Sequence, residues 1–115
     1  MVNSGKILEF GPYRLDLGRW LLTRDAETVT LQPKTFELLV LLAGKGGEAI
    51  SKDALMQALW PDTSVQEASL TFQVSTLRKA LGAPGNHWIE AVPKHGYRFT
   101  APVTSDRAPG QAPPK

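Results

Sequence analysis

Ala68, Phe72, Ser75, Thr76 and Lys79 are spaced so that a helix would set them on one side of itself, with Thr71 and Arg78 on a flank. Leu70, Val74, Leu77 and Leu81 recur on the opposite side as an apolar stripe that must face a core. The outward group holds small hydroxyls, one aromatic ring and two cations, with no acid after Glu67. An ordinary solvent face alternates glutamate and lysine for solubility. This one suits a negatively charged partner with polar edges, such as a DNA major groove. The plainer alternative is a surface helix with one stray phenylalanine.

Other chemistry is poorly supplied. His87 and His95 sit at a strand edge and a hairpin tip, with no clustered carboxylates near them in sequence. The glycines are spread through turns, without a phosphate-cradling or dinucleotide pattern. Cysteine is absent, which excludes disulfides and thiolate metal sites. No catalytic residue, metal ligand or cofactor is expected.

The element carrying the outward group is expected over residues 65–81. Ser64 with Glu67 reads as a capping box ahead of it, and Gly82 with Pro84 supplies the stop. A shorter helix precedes it, with Ser51 as N-cap and Leu55, Ala58 and Leu59 as its apolar side, ending at Trp60-Pro61. A further helix opens at Pro33 and runs to Ala43, apolar almost all round and therefore buried. Ile7–Phe10, Tyr13–Asp16, 19–23 and 28–31 read as strands of a small antiparallel meander, and Arg24 to Glu27 as a polar turn. Two more strands, within a hairpin over residues 88–101, flank the tip Pro93-Lys94-His95-Gly96. The fold class is α+β: a winged helix-turn-helix with an N-terminal four-stranded antiparallel sheet, three helices and a C-terminal hairpin wing. Residues 1–6 should be loosely ordered, 7–103 form the domain, and 104–115 read as a Pro-rich linker or tail.

The 115 residues, 42% hydrophobic and 21% charged, suit one folded domain. No apolar run is long enough to cross a bilayer and no signal-peptide pattern opens the chain, so a cytoplasmic location is expected. The net charge of +2 is unevenly placed: residues 1–67 carry −2 and residues 68–105 carry +3, from Arg78, Lys79, Lys94 and Arg98 against Glu90. A localised basic half points to a polyanion footprint.

The segment from Val65 to Gly82, ending Thr76-Leu77-Arg78-Lys79-Ala80-Leu81, resembles the effector domain of OmpR/PhoB-type transcription regulators. So does Ala91-Val92-Pro93-Lys94-His95-Gly96-Tyr97-Arg98-Phe99 behind it. The likeness also takes in Leu31 to Leu39 and Ser51 to Trp60. It implies duplex DNA as partner, with the third helix in the major groove and the wing at the adjacent minor groove. The residues then expected on DNA are Ala68, Ser69, Thr71, Phe72, Ser75, Thr76, Arg78, Lys79, Lys94, His95 and Arg98. Asp62, Thr63 and Ser64 would be available to RNA polymerase, and a head-to-tail dimer on DNA is implied. Two departures reduce the contacts carried over. Ser75 and Thr76 stand where an arginine pair is common, and Pro93 stands where a wing arginine is common, with the cation one place on at Lys94. A domain starting near residue 7 resembles the CadC/ToxR-like arrangement, in which a linker leads to a further domain or a membrane anchor beyond Lys115. That would tether a cytoplasmic domain to the inner membrane. The Pro-rich tail fits this arrangement, and equally a chain cut at that point. The rival reading is a winged helix used for protein interaction, with Phe72 as its anchor.

Overall fold

Alternating side chains in Ile7–Phe10 (β1) and Tyr13–Asp16 (β2) bury Leu8, Phe10, Tyr13 and Leu15, the pattern of strands with one apolar face. Leu21–Arg24 (β3) and Glu27–Val29 (β4) continue the antiparallel meander. In this computed structural model, which describes residues 7–45, 47–83 and 85–106, register aligns Leu8, Leu15, Leu22 and Val29 across the four strands. Asp25 and Ala26 form a two-residue turn with φ of 51° and 72°, the twist that a tight hairpin requires. The polar turn expected over Arg24 to Glu27 is therefore shorter, because Arg24 and Glu27 pair with each other. Trp20, expected inside a strand, instead lies in the preceding turn at φ 59° and is half exposed.

The four expected strands gain a fifth. Thr104–Asp106 (β7, following the wing strands Ile89–Val92, β5, and Gly96–Phe99, β6) pairs antiparallel with β1, giving the order β4-β3-β2-β1-β7. The linker expected from Thr104 thus begins as strand, because β1 otherwise leaves an edge of unpaired backbone groups. The rest of that linker, and the expected loose residues 1–6, lie outside the described residues.

Two compact units make up the chain, the sheet just described and Leu31–Ala101. In the second unit, Pro33–Gly44 (α1) starts at the proline and buries Thr35, Phe36, Leu38, Leu39, Leu42 and Ala43. Lys52–Leu59 (α2) is capped by Ser51, whose Oγ accepts from the Ala54 amide at 3.0 Å. It buries Leu55 and Leu59, while Ala58, expected on the same side, is exposed.

Glu67–Leu81 (α3) buries Leu70, Val74, Leu77 and Leu81 as the stripe requires. Its start, expected at residue 65 behind a Ser64 cap, falls at Glu67, with Gln66 at the N-cap and no side-chain cap bond. The Glu67 carboxylate pairs with Lys52 Nζ at 2.6 Å, so it serves α2 instead of a capping box. Gly82, at φ 65°, ends the helix with its amide on the Arg78 carbonyl.

A 3-10 turn over Gly85–His87 leads to the hairpin of Ile89–Val92 (β5) and Gly96–Phe99 (β6), both shorter than the expected wing over 88–101. Tyr97 and Phe99 are buried, as core-packing strand aromatics should be, and Phe99 meets Trp88 edge to face at 6.1 Å.

Candidate nucleic-acid interface

Helix α3 is held from its inner side. Besides the leucine stripe, Gln73 is buried, and its Oε1 accepts from Thr35 Oγ1 on α1 at 2.7 Å. A buried polar pair of this kind fixes rotation and height as well as distance, because slippage would leave both groups unsatisfied. Sequence reading passed over Gln73. The available signal was a lone amide inside an apolar stripe, which must find a partner.

The outward side is open at most, but not all, of the expected positions. Ala68, Thr71, Phe72, Ser75 and Lys79 are exposed, with Ser69 and Thr76 half-buried beside them. Phe72 is 62% exposed, which leaves its ring available to a partner surface. The two threonines are less open than their types suggest. Thr76 Oγ1 donates to the Phe72 carbonyl at 2.9 Å and Thr71 Oγ1 to the Glu67 carbonyl at 3.3 Å. Their hydroxyl protons are engaged by the helix itself.

The four cations of the basic half fall into two kinds. Arg78 turns from the flank toward the hairpin and donates to the Ile89 carbonyl through Nη2 at 2.8 Å and Nε at 3.3 Å. It ties the end of α3 to the first wing strand. Arg98 pairs across the hairpin with Glu90 at 2.6 Å, so its charge is offset locally. Lys79 and Lys94 are exposed, and no acid pairs with either among the described residues. Sequence placed all four together as groove contacts, and only the packing separates them.

The wing is anchored from below. The Ile50 amide donates to the Tyr97 carbonyl at 2.8 Å and the Tyr97 amide returns the bond at 3.0 Å, adding a short bridge from the segment before α2. That approach is why residue 96 is glycine. A Cβ there would stand 1.9 Å from the Ile50 carbonyl oxygen, and the φ of 111° disfavours any side chain. At the tip, Lys94 takes φ 69°, and Lys94 and His95 are both exposed.

Asp62, Thr63 and Ser64 are exposed in the connection between α2 and α3. They border an open groove of about 1030 Å³ that also touches Met56, Trp60 and Pro61. Lys34 donates to the Leu59 carbonyl at the end of α2 and lies 5.9 Å from the Trp60 ring centroid, so it belongs to helix packing. No group of histidines and acids fit to hold a metal occurs among the described residues. No described helix is long and apolar enough to cross a membrane.

Three helices, the third with an exposed face free of acids beyond its first turn, followed by an anchored hairpin, define a winged helix-turn-helix. Residues 26–99 match the family described as "Transcriptional regulatory protein, C terminal". The chain belongs to that family, the OmpR/PhoB-type DNA-binding domains of transcription regulators. It is 35% identical over 111 residues to the transcriptional regulator HilA of Salmonella typhimurium, covering 96% of this chain and 20% of HilA. With the transcriptional activator CadC of Escherichia coli it shares 34% over 97 residues, covering 76% of this chain and 19% of CadC. The chain thus spans about a fifth of the length of these curated relatives. Among solved structures, the DNA-binding domain of E. coli CadC superposes with a TM-score of 0.75 at 30% identity, covering 85% of this chain and 94% of that one. The Klebsiella pneumoniae RstA DNA-binding domain, in complex with the RstA box, gives 0.70 at 28% identity, with 81% and 95% covered.

Proposed function

We propose that this domain binds duplex DNA sequence-specifically for a transcription regulator, with α3 in the major groove and the β5–β6 wing at the minor groove. The outward face of α3 carries the reading: it is largely exposed, ends in Lys79, which no acid among the described residues pairs with, and has its single acid already neutralised by Lys52. A positive hairpin tip at Lys94 and His95 suits a narrow, negative minor groove. RstA, a related domain, is known in complex with its box. Ala68, Ser69, Thr71, Phe72, Ser75, Thr76 and Lys79 are the proposed major-groove side chains. Arg78 ties α3 to the wing and adds positive potential, whereas Arg98, offset by Glu90, braces the hairpin.

The exposed Asp62-Thr63-Ser64 connection borders a groove that carries Asp53 and Asp62 and no cation, opposite in charge to Lys79 and Lys94, which suits a protein such as RNA polymerase better than DNA. Two copies would pair head to tail on DNA. The domain would work in the cytoplasm, held at the inner membrane where an anchor follows Lys115.

A salt titration of binding to a duplex selected from a random-sequence library tests the DNA reading. With about three cations meeting phosphates, the log–log slope should be about −3. Binding indifferent to salt would favour a protein-interaction module, with Phe72 as its anchor.

A further inference from the structure

On a major-groove helix, guanine is most often read by a bidentate Arg or Lys, and adenine by Asn or Gln. The outward face of α3 holds none of these in a reading position except Lys79. Arg78 is turned onto the Ile89 carbonyl, and Gln73 is buried against Thr35. The hydroxyl protons of Thr71 and Thr76 are committed to carbonyls of their own helix. What remains beside Ser69, Ser75 and Lys79 is apolar: the methyl of Ala68 and, at the middle of the face, the Phe72 ring. The thymine C5-methyl is the one apolar feature on the base edges of the major groove.

We infer that Phe72 is a specificity-determining residue that selects thymine by packing its ring on the C5-methyl group. This rests on α3 lying in the major groove. The threonine back-bonds contribute to it, because they remove two donors that would otherwise favour guanine N7 or O6 beside the ring. Ser75 and Lys79 then supply the neighbouring polar contacts. Preferred sites should accordingly contain a thymine step opposite the middle of α3.

The test compares wild-type protein and Phe72→Ala on duplexes selected from a random-sequence library, each made with thymine or with uracil at single positions. Uracil removes the methyl and nothing else. For the wild type, one position should stand out, with affinity falling about fourfold on loss of that methyl. Phe72→Ala should bind the thymine duplex at least about fivefold more weakly and should no longer distinguish thymine from uracil there. Phe72→Leu, which keeps an apolar side chain, should retain part of the discrimination. Melting temperatures of both variants should stay near wild type, since the ring is exposed. Equal losses by Phe72→Ala on both duplexes, or a wild type blind to uracil at every position, would overturn the thymine assignment while leaving DNA binding intact. A large fall in melting temperature would overturn it also, by making Phe72 a packing residue. Failure of the wild type to bind any selected duplex would instead remove the DNA reading beneath it.

Discussion

The two faces of α3 share fifteen residues of one helix and obey different physics. On the inner face Leu70, Val74, Leu77 and Leu81 are essentially without solvent, and Gln73 among them is tied to Thr35. On the outer face Phe72 stays 62% exposed and Lys79 is unpaired among the described residues. The inner face holds the helix in place, while on the outer face the internal side-chain bonds of Thr71 and Thr76 stay within the helix itself. Arg78 sits between them, a cation drawn from the flank into the support of the wing. A residue's chemical type therefore does not say which task it has.

The largest test of this division is Leu77→Ala. Removing a fully buried leucine should cost about 2–5 kcal/mol of stability, measured by urea unfolding, through lost burial and a residual cavity. Lys79→Ala should leave unfolding within about 0.5 kcal/mol of wild type. Equal destabilisation by the two would erase the distinction between faces.

A smaller effect separates the cations. Lys79→Ala and Lys94→Ala should each reduce the salt slope by about 1, and Lys94→Ala should weaken binding evenly across all DNA sequences. Arg98→Ala should change the slope less, because Glu90 already offsets that charge at 2.6 Å. A full unit lost with Arg98 would mean that the cross-strand pair opens on DNA.

The smallest effect is alkaline. The hydrogen bond to Glu67, followed by its charge, raises the Lys52 pKa above the ordinary 10.5. A raised lysine contributes stability that is complete below its unfolded value and lost as pH climbs through the folded one. The melting temperature of wild type relative to Lys52→Met should therefore be flat at neutral pH and decline only once the pH passes the ordinary 10.5. Because the pair is solvent-exposed, the difference should be slight. A decline beginning near neutrality would assign the contact to another group.

By itself the sequence determined what local periodicity and punctuation encode. Pro33, Ser51 and Gly82 mark helix ends that the fold keeps, and 3.6-residue spacing separates Leu77 from Phe72 without any tertiary information. The two β5–β6 strands and their glycine-bearing tip are equally legible, because alternation and turn chemistry are local. Only the tertiary structure decided which polar groups are spent. Arg78 is drawn to Ile89, eleven residues on, while Gln73 meets Thr35 across thirty-eight residues and Glu67 leaves its own cap for Lys52. Thr104–Asp106 becomes strand because β1, almost a hundred residues earlier, offers an unpaired edge. Hydrogen bonds and ion pairs are satisfied by whatever partner folding brings near, and that proximity is set by the packed core, not by the residues flanking each group.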